Sequence, residues 1–394
     1  MKLKFLSLGL ALVLLLTVVA GCGNKVPDPA EPTPPPVTET PNADPDPDPE
    51  AEAAAAERHA KYARAYEAYS PDTVVMRVNG QPVLWSEFFS WVYSIAPQME
   101  DYFGVTDWSA DFPGFATASG DPSYNAYVHS YAVTSCVQLA IVMQKAAELD
   151  AGLSEEQQAS LEETFAYFRD EEDFADVLAE YFITEDYLHT QYEATTLYDN
   201  LYTKLFGADG ADCPEEDVLQ YIVDQGYLYA KHILFTTVDD ARQPLDEDTV
   251  AQKRADAEAV LAQLKACPAA ERAELFDSLL DQYGEDPGMR SRPDGYYFLP
   301  GTMVPEFEEA AKALEQDQVS EIVETSYGYH ILFRPAMSAD HLMDYDEQYF
   351  QPYTVRSFVS TALFSNMTYD WYDAAEVEFT PGFETLDLNA LLAG

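Results

Sequence analysis

The sequence predicts an α+β protein in which a compact mixed segment lies between two helix-rich parts. Residues 227–336 carry the first sign of it. A β-run "YLYAKHILFTTV" leads to helical patterns at Thr249–Ala266 and Ala269–Gln282. A turn-rich "YGEDPGMRSRPDGYYF" follows, then a short helix in "LPGTMVPEFEEAAKAL" and two β-runs, "SEIVET" and "GYHILFR". That order, over about 110 residues, suits one compact domain. The flanks are the second sign. Apolar residues recur at three- and four-residue steps through Tyr124–Asp150, Ser154–Phe168, Glu171–Tyr181 and Thr184–Phe206, and Tyr345–Ala375 also reads as helix. The third is that His-Ile-Leu-Phe occurs twice, at 232–235 and 330–333, in a chain with six histidines. Strand alternation sends histidine and leucine of each copy to one face, isoleucine and phenylalanine to the other.

The N-terminal part reads as an address and a tether. Lys2 and Lys4 precede an apolar run, Phe5–Leu16, too short to cross a bilayer comfortably. "LTVVAGC" then resembles the lipobox of bacterial lipoproteins, which implies cleavage before Cys22 and a lipid anchor on it. Residues 23–50 are rich in proline and acid with no apolar period, so they cannot bury enough surface to offset their ordering entropy. Order is expected to resume within 51–69. "TVVMRVNGQPVLWSEFF" suggests a hairpin turning at Asn79-Gly80, with Ser86 placed as the N-cap of the next helix. The expected organisation is a signal peptide at 1–22, a tether at 23–50, and a helical domain at 51–226. The mixed domain follows at 227–336, and a helical segment at 337–394 packs with the first helical domain.

Charge excludes one class of partner. With 70 acidic against 21 basic residues the formal charge is −49, which repels nucleic acid. Cys136, Cys213 and Cys267 are widely spaced, with no CxxC or histidine spacing, so neither a zinc site nor a disulfide framework follows. They form at most one bridge, and Cys136, within an apolar helical pattern, reads as a core residue.

"AKHILF", "YGEDPG", "GTMVPEFEEAAKAL" and "SYGYHILF", in that order, resemble the signature of parvulin-type peptidyl-prolyl cis/trans isomerases. The layout of anchor, helical part, parvulin segment and returning helix is similar to the extracytoplasmic PrsA and SurA kind of foldase. The resemblance implies a four-stranded antiparallel sheet with surrounding helices, flanked by a mostly helical chaperone-like domain built from both chain ends. It places Met303 and Phe307 in a proline cradle, with Phe298 as neighbour. It makes His232 and His330 the paired histidines, Thr325 a hydroxyl supporting them, and Asp286 a group facing the substrate amide. No cofactor or metal is implied. The partners would be unfolded or partly folded exported polypeptides with X-Pro bonds, and the membrane through the anchor; a homodimer stays open.

Rotation about X-Pro crosses roughly 18–20 kcal/mol without breaking a bond. An apolar cradle and polar groups aimed at one carbonyl are therefore the useful chemistry. Each residue also has a plainer reading. The histidines can be satisfied core residues, Met303 and Phe307 can be core, and Asp286 before Pro287-Gly288 can be a turn former. The chain departs from relatives where many carry "GGDLG": "PDGYYF" puts Gly295 in a leucine position, leaving Tyr296 or Tyr297 to rebuild that wall. Arg242 is the lone basic residue of "TTVDDARQPLDED", so no phosphopeptide preference is expected. A holdase with a degenerate parvulin domain is the alternative function. A solute-binding or structural lipoprotein is a third, with nothing beyond anchor and tether behind it.

Overall fold

The computed structural model describes residues 49–115, 117, 120–345 and 351–393. Cys22 and nearly all of the expected tether lie outside them. The described residues fall into two compact units, one of those up to Lys204 together with those from Phe364 onward, the other of those between Leu205 and Leu363. In chain order the first elements are α1 (Pro49–Tyr66), β1 (Val74–Val78), β2 (Gln81–Leu84), α2 (Trp85–Phe103) and α3 (Tyr124–Glu148). Next come α4 (Glu155–Asp170), α5 (Phe174–Glu180), α6 (Glu185–Phe206) and α7 (Glu215–Asp224). The mixed part holds β3 (Leu228–Thr236), α8 (Glu247–Ala266), α9 (Arg272–Tyr283), α10 (Pro287–Ser291), β4 (Tyr296–Phe298) and α11 (Pro305–Ala313). It continues with β5 (Gln318–Val319), β6 (Val323–Thr325) and β7 (Gly328–Arg334). The chain ends with β8 (Leu342–Tyr345), β9 (Pro352–Thr354), α12 (Val355–Asp373), β10 (Val377–Phe379) and α13 (Leu388–Leu392).

In the first unit the β1–β2 hairpin turns at Asn79 (φ 50°) and Gly80 (φ 81°), the paired left-handed conformations that a two-residue turn requires. β10 joins the other edge of β1, with Met76 opposite Phe379, so the two chain ends share one sheet. Trp85, Phe89 and Val92 of α2 pack with Val128, Ala132 and Cys136 of α3 and Leu388 of α13. Cys136 is a free, buried thiol, and Cys213 and Cys267 are free as well. Ser86 does not cap α2. Burial of Trp85 fixes the helix start two residues earlier, with Leu84 at the N-cap position; the Ser86 amide donates to the Pro71 carbonyl at 3.1 Å, and Glu87 accepts the Leu84 amide at 2.8 Å. The helix expected over Tyr345–Ala375 is also shorter. Residues 346–350 of that stretch lie outside the described ones, β8 pairs antiparallel with β9, and α12 begins at Val355, because Pro352 lacks an amide donor and disfavours helix in the residue before it.

The second unit extends past 227–336 on both sides, taking in α7 and the β8–β9 pair. Its sheet is antiparallel, with β3 between β4 and β7. The far edge of β7 is occupied by β5 and then β6. The fourth strand of the expected sheet is thus two short segments. Between them Ser320 takes over the pairing: its amide donates to the Leu332 carbonyl at 2.8 Å and its hydroxyl accepts the Leu332 amide at 2.9 Å.

Alternation gives β3 and β7 two distinct faces. Ile233, Phe235, Ile331 and Phe333 pack on Val260 and Leu264 of α8 and Phe276 of α9. Ala230 and Leu332, on the opposite face, pack with Phe298 of β4 and Phe307 and Ala311 of α11. This second face carries the site.

Candidate active site

Register decides which side chains meet. Ile233 lies opposite Ile331, His232 opposite Leu332, and Leu234 opposite His330. The two His-Ile-Leu stretches therefore pair with each other, antiparallel, about the isoleucines. Each histidine sits diagonal to the other on a shared face, a separation that long side chains bridge. Their Nδ1 atoms are 3.0 Å apart.

Three more elements complete a line of polar groups. Asp286 caps α10, and its Oδ1 accepts the Gly288 amide at 3.0 Å. Its Oδ2 lies 2.8 Å from His232 Nε2 and accepts the Tyr296 hydroxyl at 2.8 Å. At the other end Thr325, closing β6, places Oγ1 2.8 Å from His330 Nε2 and accepts the Tyr327 amide. With one proton on each imidazole the line has a single direction. Thr325 donates to His330, His330 Nδ1 to His232 Nδ1, and His232 Nε2 to Asp286, each donor finding one acceptor.

The electrostatics set the charge of two members of the line, Asp286 and His330. Burial opposes charge on Asp286, but hydrogen bonds from His232 and Tyr296, the pull of His232 and the Gly288 amide bring its carboxyl down to about 2. It is a carboxylate at neutral pH. Burial, aided by neighbouring His232, pushes His330 down to about 3, so that ring is neutral. Both histidines are 4% exposed. A buried pair of imidazoles is tolerated here because every ring nitrogen has a partner.

The apolar side of the site leans on the same rings. Phe307 meets His232 edge-on at 5.1 Å and His330 at 5.6 Å, and Phe298 lies 5.8 Å from Phe307. Both phenylalanines are buried, while Met303 packs half-buried against them. Pro305 opens α11, so Met303 precedes that helix and Phe307 sits in its first turn. Glu308 fixes the approach by accepting the Met303 and Gly301 amides, each at 2.8 Å.

All the polar candidates, His232, Asp286, Thr325 and His330, thus fall in one hydrogen-bonded line, with Phe298, Met303 and Phe307 beside it. Two features have no counterpart in the sequence reading: the Met289 sulfur, 3.4 Å from the His232 amide, and the Glu308 brace. Neither belongs to a motif, and the spacing of Glu308 from Gly301 carries no signal. The altered wall resolves in favour of one tyrosine. Tyr296 faces the site, whereas Tyr297 stacks on Tyr229 at 4.2 Å and reaches His341 Nδ1 at 2.9 Å. At Gly295, with φ 110°, a Cβ would lie 2.9 Å from Lys231 Cγ and 3.0 Å from the Ala230 carbonyl oxygen. This backbone therefore has no room for leucine there.

Residues 232–334, which carry the buried histidine pair, the capped aspartate and the aromatic wall, match the Rotamase family, described as the PPIC-type PPIASE domain. The chain is similar to foldase protein PrsA of Geobacillus sp. (strain WCH70), 49% identical over 65 residues, covering 16% of this chain and 23% of that protein. It is also similar to foldase protein PrsA of Oceanobacillus iheyensis, 29% identical over 167 residues, covering 42% of this chain and 47% of the relative. The match spans less than half the length of either. Among solved structures, the peptidylprolyl isomerase PrsA from Bacillus cereus aligns with 72% of this chain and 99% of its own, at 20% identity and a TM-score of 0.27.

Proposed function

We propose that the chain is a peptidyl-prolyl cis/trans isomerase and foldase acting on exported polypeptides, held by a lipid on Cys22 at the extracytoplasmic side of the cell membrane. One observation carries the isomerase reading: a fixed, ionised Asp286, one-fifth exposed at its side chain, lies at the end of the histidine line and beside the Phe298, Met303 and Phe307 wall. The apolar wall receives the proline ring. As the amide twists, conjugation between its carbonyl and nitrogen is lost, and the carboxylate favours the reduced double-bond character. No bond is broken, so no nucleophile, metal or cofactor takes part. His232, His330 and Thr325 hold Asp286 in place, and Phe307 supports the two rings from the apolar side. The lipobox resemblance at Cys22 and the proline- and acid-rich stretch after it support the anchored location.

Refolding of a protein limited by a slow prolyl bond tests the reading. The full chain accelerates the slow phase. Asp286→Ala reduces that acceleration about tenfold or more, and Met303→Ala reduces it through weaker substrate affinity. Suppression of aggregation with no acceleration by the wild-type chain would instead support the holdase with a degenerate parvulin domain.

A further inference from the structure

We propose that Tyr296 is a positioning residue of this site, its phenol locking the Asp286 carboxylate against His232. The proposal rests on the isomerase reading above. Three donors converge on Asp286, and they divide unequally. Gly288 holds Oδ1, while His232 and Tyr296 share Oδ2. Without the phenol, Oδ2 has one partner and the carboxylate gains freedom to turn about its own axis. With it, the orientation of both oxygens is set before any substrate arrives.

The surrounding residues are arranged to bring that oxygen in. A Cβ at position 288 would overlap the Tyr296 hydroxyl and sit 3.1 Å from the ring carbon bearing it, so glycine at 288 is what allows the approach. The positive φ at Gly295 turns the chain into β4 immediately before the tyrosine. On the outer side the Arg292 guanidinium lies over the Tyr296 ring, 5.7 Å from its centroid, and is itself paired with Asp344 of β8. On the inner side the ring lies 5.8 Å from His232. Tyr296 is therefore held by its oxygen and by its ring. The phenol is also pushed toward its neutral, donating form, by burial and by the adjacent carboxylate.

The test is a set of isomerase measurements on a proline peptide with the full chain and its variants. Tyr296→Phe removes one oxygen and leaves the ring. Its kcat/KM falls about fivefold to thirtyfold, the scale of one charge-assisted hydrogen bond, with the loss in kcat rather than KM. Asp286→Ala loses more, and adding Tyr296→Phe to it changes nothing further, because the phenol acts through the carboxylate. Gly288→Ala reproduces the Tyr296→Phe loss on its own and adds little in the Tyr296→Phe background. Urea midpoints identify any variant that is merely unfolded; Gly288→Ala keeps the comparison intact if Tyr296→Phe is one. An active wild type with an unchanged Tyr296→Phe, or with losses that add in the double variant, overturns the positioning role alone. A wild type without isomerase activity overturns the isomerase reading, and this role with it.

Discussion

On one face of β3 and β7, Ile233, Phe235, Ile331 and Phe333 are at most 2% exposed and rest on α8 and α9. On the other, His232 and His330 are nearly as buried, at 4%, yet they meet each other, Asp286 and Thr325. Depth is almost the same on both sides, so depth does not separate a core from a site. The difference lies in what burial demands. Hydrocarbon needs neighbours of the right shape, whereas a buried imidazole needs a partner for each nitrogen. The first face can be repaired by repacking. The second depends on groups delivered by β3, β6, β7, β4 and the cap of α10, and losing any one of them leaves a gap in a line.

The largest effect is expected on the dry face. Phe333→Ala, at a residue 1% exposed, should cost about 3–5 kcal/mol in urea unfolding of the second unit, from lost transfer energy and the cavity left behind. A loss well under 1 kcal/mol would mean that this face is loosely packed, and the contrast between the faces would fail. An intermediate effect belongs to pH. The folded value of about 3 at His330 lies below the ordinary 6.5, so the unfolded chain takes up its proton first as the solution is acidified. The stability tied to His330 is complete above about 6.5 and is lost as pH falls toward 3. Burial also pushes His129 and His341 down, which adds the same sign. Asp286, down at about 2, contributes stability that disappears below its ordinary 3.8 and so outside a pH 7 to pH 5 comparison. The melting temperature should therefore drop more between pH 7 and pH 5 in the wild type than in His330→Gln. Equal drops would show that His330 is not neutral when folded.

The smallest effect is at the end of the line. Thr325→Val keeps the shape and removes the hydroxyl, leaving His330 Nε2 and the Tyr327 amide without their shared partner. About 1 kcal/mol of stability should go with it, read by the same unfolding experiment. No change would indicate that water replaces the hydroxyl and that the line effectively ends at His330.

Much of this contrast was legible in the sequence because strand alternation is a strict rule. Two His-Ile-Leu-Phe runs already separate histidine from isoleucine, and their pairing needed only that the strands be neighbours. Asp286 was legible as a turn former and as a site candidate, and it is in fact both a helix cap and the terminus of the histidine line. Tyr296 was legible as a wall but not as a donor, since its hydroxyl finds Asp286 only through the space that Gly288 leaves. Short strands escaped detection for a physical reason: β10 and β9 have three residues each, too few to show a period, and their pairing is set by distant partners. The capping of α2 was misplaced because burial of Trp85 outweighs the local preference of serine for a helix start.

The register of β3 on β7 has a consequence for synthesis. His232 and His330 are 98 residues apart, and the chain emerges N-terminus first. Until residue 330 is available, a growing chain already holds Asp286, Met303 and Phe307 but no imidazole pair, and closing so long a loop is slow compared with forming a local helix. Most of the 25 prolines of this chain precede β7, so they are synthesised before its own site can exist. A fragment ending before β7 would therefore be inert rather than weakly active.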